Sequence, residues 1–422
     1  MKRRLLSIKT ILISAFILRI TISLLGEHGD VINYHYWAMD IYDKGLLGFY
    51  DRNIANAMRP TYPPLTSHLF YLTAFFHNLI WHLIWFLNNA FVIFPSNLIF
   101  WWESERGWYF INKWPSIIAD LGIIYILYLF PKVLGYKKNL LLPSLFFAFL
   151  PPFWYVSALW GQTDSIYAFF VIAGFYFLAK EQYVSSFISV ALSMLTKPTA
   201  FFALPAYLVW YLKKAKPGIL LKSIVISLII GVVLYFPFHP DNFFVWVIRF
   251  YNHSLAGELQ LIVANSFNVW GGVFGFKNTP ETTSFFGIPA NLIGNSLFVL
   301  FTLGILFFSF LKQKDLSFER LLILSSIISF AAFLFLPGMH ERYFFPTLLV
   351  LLPLVGISKK IRNVFLAMSA VHLLNLYNFW FLPRVEILVT LLSSTFFIKL
   401  LVIINILIFF YLIKIFKSGR IT

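Results

Sequence analysis

The chain has 422 residues, of which 60% are hydrophobic and only 12% are charged, with a mean hydropathy of +0.80 and a net charge of +16. A soluble chain carries about 25% charged residues, so this composition excludes an ordinary soluble domain and makes lipid the natural solvent. The positive charge lies in short segments between apolar runs, which favours contact with anionic lipid and argues against a nucleic-acid partner. The absence of Cys excludes disulfides and thiolate metal sites.

Apolar runs recur along the whole chain, and a membrane-spanning helix needs about 20 mostly apolar residues. Such runs, several of them short enough to be broken helices, lie at about residues 10–26, 116–134, 139–158, 164–180, 184–196, 198–212, 219–237, 287–311, 320–337, 343–357, 363–382 and 387–413. The first run lacks a small-residue cleavage site, so we interpret it as an uncleaved span. The pattern predicts an all-α, polytopic transmembrane helical bundle of about 11–14 spans, in a single domain over residues 1–422.

The segment 66–102 is apolar, but it contains three His residues and two adjacent Asn residues. It crosses the membrane either twice or not at all, since both choices preserve the later alternation of loops. No Lys or Arg marks an inner turn within it, so we favour extracytoplasmic helices that lie in the membrane interface.

Lysine and arginine fall at every second boundary between apolar runs. Their clusters lie at residues 2–9, 132–138, 180, 213–222, 312–320, 359–362 and 414–420. The positive-inside rule places these clusters and both termini in the cytoplasm. The large loops 27–65 and 238–286 then face outward. This predicts an integral, multi-pass protein of a prokaryotic cell membrane, or of the endoplasmic reticulum membrane in a eukaryote, with its active site on the outer or luminal face.

Polar residues interrupt the apolar sequence at several outer boundaries. Asp30 follows the first span, where partial desolvation would make a carboxylate a better base; capping of an interfacial helix is the alternative. Asp164 begins a helix and is either an N-cap or a ligand. Lys197 lies alone at the outer membrane level, where a lone charge is costly; it is a functional candidate or a lysine that snorkels to a headgroup. The run 340–342 is either an interhelix salt bridge or part of a site. Prolines at 63 and 64 predict that a helix begins at Pro64 or Leu65.

Taken in order, these segments resemble the GT-C superfamily of membrane glycosyltransferases, and most of all the dolichyl-phosphate-glucose glucosyltransferases of N-glycan assembly. The motifs that carry the resemblance span about residues 20–350: Gly29-Asp30 with Trp37 seven residues on, Tyr-Pro-Pro-Leu-Thr at 62–66, Ala119-Asp120-Leu121, Gly161-Gln162, Lys197, Ala264-Asn265 and His340-Glu341-Arg342. The chain departs from the pattern in three places. His35 lies one position early, Asp164 replaces an uncharged polar residue, and Arg342 replaces a lysine.

The resemblance implies a function. A hexose, glucose or mannose, would move with inversion from a polyprenyl-phosphate carrier to a hydroxyl of a glycan, lipid or protein acceptor on the outer face. Asp30 would be the general base. The substrate-binding residues would be His35, Trp37, Tyr62, Gln162, Asp164, Lys197, Asn265, His340, Glu341 and Arg342, with Lys197 and Arg342 on the donor phosphate. No cofactor is implied. The first loop has no Asp-x-Asp motif, so no metal is expected.

Two other functions remain open at this point. A lipid-linked glycan polymerase or ligase also works on lipid phosphates at the outer face, but its catalytic features are expected in a large late loop. A lipid or sugar transporter, or a flippase, predicts paired broken helices with charges near the membrane midplane. In this sequence most charges cluster at one face, which favours chemistry there.

Overall fold

The computed structural model describes residues 7–256, 260–312 and 316–418, and the chain is 76% helical with almost no strand. Within those residues twenty α-helices follow one another: α1 Ile8–Ser23, α2 Gly29–Lys44, α3 Pro64–Ala90, α4 Asn97–Glu103, α5 Glu105–Asn112, α6 Trp114–Val133, α7 Leu142–Phe149, α8 Pro151–Trp154, α9 Asp164–Ala179, α10 Tyr183–Thr196, α11 Pro205–Lys214, α12 Pro217–Tyr235, α13 Phe243–Ala256, α14 Val269–Phe274, α15 Ala290–Phe307, α16 Phe318–Phe335, α17 Phe345–Leu351, α18 Lys359–Phe379, α19 Glu386–Ser393 and α20 Thr395–Ser418. The predicted all-α class is confirmed.

Short elements connect these helices. They are 3-10 turns at Phe49–Asp51, Pro198–Ala203, Phe236–Phe238, Glu341–Phe344 and Leu352–Leu354, and π-turns at Tyr155–Trp160 and Phe308–Lys312. One small antiparallel hairpin pairs β1, Ser284–Phe285, with β2, Ile288–Pro289. Proline begins many of the helices, because its missing N–H would have no partner in the first turn. The predicted helix start at Pro64 is confirmed.

Several helices suit a bilayer, so the protein is an integral, multi-pass membrane protein. In the part of the chain that is described, six helices are long and apolar enough to cross a membrane by length and composition: Pro64–Ala90, Glu105–Val133, Pro217–Phe238, Ala290–Leu311, Phe318–Phe335 and Thr395–Ser418. The bent pair Leu142–Phe149 and Pro151–Trp160 could make a seventh span, and two apolar helices, α9 and α10, are shorter. Of the other predicted spans, 363–382 lies mostly in α18, a continuous helix of 21 residues that is not among these six. The rest are short or interrupted helices, with breaks beside Pro205 and Pro353.

The segment 66–102 does not form two spanning helices. It forms α3, which has 27 residues, and α4, which has seven. At about 1.5 Å per residue, α4 is too short to cross a bilayer by itself, whereas α5 continues into α6 as the candidate span Glu105–Val133. The middle of α3 packs on α2 and α5: Asn78 Nδ2 donates to the Tyr42 hydroxyl at 2.7 Å, and the His77 ring stacks 3.7 Å from Trp108. These contacts join α3 to the helices of the first large loop.

A buried ion pair connects the first span to the middle of the bundle. Arg19 Nε donates to Asp120 Oδ2 at 2.5 Å, and both side chains are fully buried. The two terminal nitrogens of Arg19 donate to the carbonyls of Ala148 and Phe147 at 3.0 and 3.2 Å. Ser157 Oγ also donates to Asp120, at 2.6 Å. This network ties α1, α6, α7 and the π-turn Tyr155–Trp160 together.

The basic loops meet one another at one end of the bundle. Tyr136 donates to Glu319 at 3.1 Å and Asn139 donates to the Gly356 carbonyl at 3.1 Å. Lys213 Nζ donates to the Phe310 carbonyl at 2.6 Å. The loops that the Lys and Arg pattern assigns to one side of the membrane therefore lie at the same end of the bundle. That this end faces the cytoplasm stays a prediction. Parts of three of the predicted basic clusters, at residues 1–6, 314 and 419–422, lie outside the described residues.

The absence of Cys makes the predicted orientation testable by labelling. Asn53 lies in the first large loop, Lys137 lies in a basic loop, and both are exposed. On intact cells, a membrane-impermeant maleimide should label Asn53→Cys and should label Lys137→Cys only after the membrane is permeabilised. The reverse pattern would overturn the orientation.

Candidate functional site

Asp30 lies in the first turn of α2, only seven residues after α1 ends. Its Oδ2 accepts hydrogen bonds from Trp160 Nε1 at 2.9 Å and from the Gln162 side-chain amide, and it lies 3.0 Å from His28 Nδ1. No residue in the described ranges hydrogen-bonds its Oδ1, and the side chain is 29% exposed. One carboxylate oxygen is therefore fixed, while the other is accessible.

The electrostatic surroundings keep Asp30 ionised. Burial by itself would raise the pKa of this carboxyl group, but the hydrogen bond with His28 and the positive charge of Arg342 outweigh it. The Trp160 hydrogen bond acts in the same direction, and the pKa lies well below its usual value. Asp30 is therefore ionised at neutral pH. The expectation that desolvation would make this carboxylate a better base is wrong, because the pKa is lowered and the charge of Arg342 opposes the effect of burial.

The partners of Asp30 come from the turn that follows the π-turn. Gly161 has φ +88°, and an added Cβ would lie 2.4 Å from Val31 Cγ2, so only glycine fits there. The turn directs Trp160 and the fully buried Gln162 towards Asp30. On its other side, Gln162 Oε1 accepts a hydrogen bond from the Tyr34 hydroxyl at 3.2 Å.

Two aromatic hydroxyls extend this network. The Tyr34 and Tyr62 hydroxyls lie 2.8 Å apart, and Tyr62 OH also lies 3.4 Å from Gln162 Oε1. The Tyr62 ring lies 5.6 Å from Lys197 Nζ. Tyr62 thus connects the amide that holds Asp30 to the nearest lysine of the site.

Lys197 and Arg342 supply two cations beside this network. Lys197 ends α10, where Pro198 breaks the helix, and its Nζ donates to Asp164 Oδ2 at 2.9 Å. Arg342 Nη1 donates to Glu341 Oε1 at 2.9 Å, and its Cζ lies 5.7 Å from the Trp160 ring. Both acids are fully buried.

Hydrogen-bonding capacity remains unused around these cations. Within the described residues, Arg342 Nε, Asp164 Oδ1 and Glu341 Oε2 are buried without a hydrogen-bond partner, although Arg342 Nε lies 4.0 Å from Asp164 Oδ2, at ion-pair distance. A buried group left unsatisfied costs about 1–3 kcal/mol. An ammonium group has three donors and a guanidinium has five, so both cations can bind a further anion. In the same ranges, no three His, Cys, Asp or Glu side chains converge as metal ligands.

The second large loop reaches the site through Asn265 and His340. Their backbones form an isolated β-bridge, and Asn265 has φ +62°. Asn375 in α18 clamps this loop: its Nδ2 donates to the Asn265 carbonyl at 2.6 Å, and its Oδ1 accepts from the Phe267 N–H at 2.9 Å. Burial and the charges of Arg342 and Lys197 hold the pKa of His340 well below its usual value, so it is neutral at pH 7.

Two predicted site residues lie away from Asp30 itself, although the Trp37 ring packs on Tyr34 and Tyr62, with centroids 5.8 and 6.0 Å apart. His35 is five residues after Asp30, which turns its side chain by about 140° on the helix; it packs on Trp108 with ring centroids 4.9 Å apart. Trp37 is on the face of Asp30 but two turns further along, and its Nε1 donates to the Met58 carbonyl at 2.8 Å. Neither contacts Asp30. The other predicted residues, Tyr62, Gln162, Asp164, Lys197, Asn265, His340, Glu341 and Arg342, are brought together with it.

Two residues that touch Asp30 were not predicted as site residues. His28 caps α2 and packs on the Trp160 ring, with centroids 4.4 Å apart. Trp160 itself donates to Asp30. His28 directly precedes Gly29-Asp30, and Trp160 directly precedes Gly161-Gln162, so adjacency to a motif was the available signal.

The contact between Lys197 and Asp164 predicts a stability effect. Lys197→Met should remove the nearer of the two cations beside the fully buried Asp164 carboxylate, leaving Arg342 Nε at 4.0 Å, and breaking a buried ion pair costs about 3–5 kcal/mol. Unfolding in detergent should show this loss, and the double variant Lys197→Met with Asp164→Leu should regain most of it. A single variant as stable as the wild type would contradict the ion pair.

The chain resembles known proteins in structure and not in sequence. No sequence-family model matches the chain, and no curated protein matches it in sequence. Among solved structures, the crystal structure of ArnT from Cupriavidus metallidurans bound to undecaprenyl phosphate aligns over 98% of this chain and 77% of ArnT, at 11% identity and a TM-score of 0.48. Neither a substrate nor a residue role follows from similarity at this level.

Proposed function

We propose that the chain is a membrane glycosyltransferase that moves a hexose from a polyprenyl-phosphate carrier to an acceptor hydroxyl, with Asp30 as the general base. One observation carries the proposal: Asp30 has one fixed and one free carboxylate oxygen, with two cations nearby. Arg342 lies beside Trp160, which fixes that oxygen, and Lys197 lies beside Tyr62 in the same hydrogen-bond network. The ordered motifs that resemble the GT-C superfamily support the same reading.

The donor phosphate would bind between Lys197 and Arg342. The unsatisfied Arg342 Nε supports this, because it is a buried donor that lacks an acceptor. Arg can bind a phosphate through two parallel hydrogen bonds, which a lysine in its place would not provide. Lys197 adds a point charge with two donors beyond its bond to Asp164. The two cations would stabilise the negative charge that grows on the leaving phosphate.

The reaction is then a direct displacement. Asp30 Oδ1 takes the proton of the acceptor hydroxyl while the hydroxyl oxygen forms a bond to the anomeric carbon. The bond from that carbon to the phosphate oxygen breaks, and polyprenyl phosphate leaves with the electron pair. The anomeric configuration inverts. The phosphate is a good leaving group, so no general acid is required.

Arg342 links donor binding to the strength of the base. Its charge lowers the pKa of Asp30, and a bound phosphate would neutralise much of that charge. The pKa of Asp30 would then rise, and the carboxylate would become a stronger base only when the donor is in place. Before the donor binds, the low pKa keeps the Asp30 carboxylate deprotonated, so it is ready to accept the proton of the acceptor hydroxyl.

The finer assignments complete the proposal. The sugar is glucose or mannose, the acceptor is a glycan, lipid or protein hydroxyl, and the reaction takes place on the outer or luminal face, with both termini in the cytoplasm. The loop 27–65 contributes the base, and the loop 238–286 contributes Asn265. His340 is neutral, and with Glu341 it would orient Arg342 or bind sugar hydroxyls.

Replacing Asp30 tests the base. Asp30→Asn keeps the shape but removes the basic oxygen, so turnover should fall by about 10²–10⁴-fold while donor affinity changes little. The assay follows transfer of labelled hexose from polyprenyl-phosphate hexose to a membrane glycolipid extract. Asp51→Asn, an exposed acid of the same loop, should keep full activity. Turnover retained in Asp30→Asn but lost in Asp164→Asn would transfer the role to Asp164. Movement of the lipid across vesicles without sugar transfer would favour a flippase.

Replacing Arg342 tests the phosphate site. Arg342→Gln should weaken binding of polyprenyl phosphate by about 1.5–3 kcal/mol, the scale of a charge-assisted hydrogen bond. Binding can be measured by calorimetry in detergent. Arg106, which is exposed and pairs with Glu27 at 2.9 Å, provides the control, and Arg106→Gln should bind normally. Equal affinities of the two variants would contradict the phosphate site.

A further inference from the structure

We propose that Lys113 is a positioning residue that holds Asp30 in register with the two side chains that fix its carboxylate. The inference rests on the proposed function of Asp30 as the base. Lys113 lies between α5 and α6 and is fully buried. Within the described residues its ammonium group hydrogen-bonds backbone carbonyls and not Asp30, so its effect on the reaction is indirect.

The Lys113 ammonium group uses every hydrogen-bond donor that it has. Its Nζ donates to the carbonyls of Ser23 at 2.9 Å, Gly26 at 2.6 Å and Leu159 at 3.0 Å. An ammonium group has three N–H donors, whereas a neutral amine has two, so three carbonyl partners require the charged form. In the described part of the chain Lys113 has no carboxylate within ion-pair distance. The three carbonyl dipoles are the direct partners of the charge.

These three carbonyls belong to the segments that build the site. Ser23 ends α1, and Gly26 lies four residues before Asp30. Leu159 directly precedes Trp160 at the end of the π-turn Tyr155–Trp160. The carbonyls at a helix C-terminus lack partners within the helix and carry partial negative charge. Lys113 therefore caps two helix ends at once and joins them.

The two segments approach so closely that only glycine fits between them. A Cβ on Gly26 would lie 2.7 Å from the Leu159 carbonyl oxygen. A Cβ on Gly161 would lie 2.9 Å from Lys113 Cγ. The backbones of 26 and 159 are thus nearly in contact around the ammonium group, and loss of that group removes the attraction between two carbonyl-rich surfaces.

The register of these segments decides how Asp30 is held. Asp30 belongs to the chain that continues from Gly26, while its donors Trp160 and Gln162 follow Leu159. Hydrogen bonds weaken steeply with misalignment, and a displacement of about 1 Å in a reacting group costs about 10²-fold in rate. A small shift between the segments would therefore move the carboxylate without removing any group that binds the donor.

Lys113→Met tests this, because methionine is similar in length and has no donor. We expect kcat to fall by about 10- to 100-fold, with the KM for polyprenyl-phosphate hexose and the affinity for polyprenyl phosphate within threefold of the wild type. Lys213→Met is the matched control: Lys213 also donates to a backbone carbonyl, that of Phe310, at the opposite end of the bundle. It should leave kcat unchanged.

A double-mutant cycle separates positioning from general destabilisation. If Lys113 acts through Asp30, Lys113→Met should cause no further loss of turnover in an Asp30→Asn background. Independent, multiplicative losses would overturn the proposal while leaving Asp30 as the base. Full turnover in Asp30→Asn alone would instead overturn the proposed function. Should Lys113→Met fail to fold, Gly26→Ala, which pushes the same segments apart with Lys113 in place, must show the same selective loss of kcat, and unchanged kcat there would also reject the idea.

Discussion

The buried pair of Arg19 and Asp120 is the interaction on which the arrangement of the candidate site depends. It joins α1 to α6, and through the Phe147 and Ala148 carbonyls and Ser157 it reaches the bent helices that lead to Trp160. Lipid offers no hydrogen bonds, so every charge at this depth must be satisfied by the protein. Losing one partner of a buried pair costs about 3–5 kcal/mol, and this penalty holds the elements in one arrangement.

The charges at the site follow the same logic. Lys197 and Arg342 are buried, and each is paired with a carboxylate that compensates for its desolvation. Burial raises the pKa of Glu341 against the opposing effect of Arg342, so this acid can gain a proton more easily than an exposed glutamate. An anion that binds Lys197 and Arg342 would therefore replace a carboxylate as their partner. Glu341 could then take up a proton, which would keep the net charge of the site nearly constant.

Much of the fold was predictable, because spanning helices are encoded locally in runs of apolar residues. The polar motifs were also informative, since a charge between apolar runs is costly and persists only where other groups satisfy it. The direction of a side chain on a helix was harder to predict. His35 and Asp30 lie in one motif, yet the helix turns them to different sides. Lys113 was missed because its partners are backbone carbonyls. Every residue has a carbonyl, so no residue type in the sequence marks these partners. The form of 66–102 was also missed, because hydropathy does not separate a long helix from shorter ones.

The hydrogen bonds of Asn375 hold the second large loop near the site and leave the hairpin of that loop outside the held part. Asn375 bonds the loop backbone on both sides as a neighbouring strand would, and Asn405 Nδ2 donates to the Phe267 carbonyl at 2.8 Å. The hairpin of β1 and β2 lies beyond these bonds, and Phe286 at its turn is 91% exposed. A longer or shorter hairpin would therefore leave the position of Asn265 unchanged, because the bonds of Asn375 hold the loop backbone there. The turn at Phe286 and Gly287 is thus a natural position for a rigid fusion partner, which would give this small membrane protein a visible landmark in single-particle imaging.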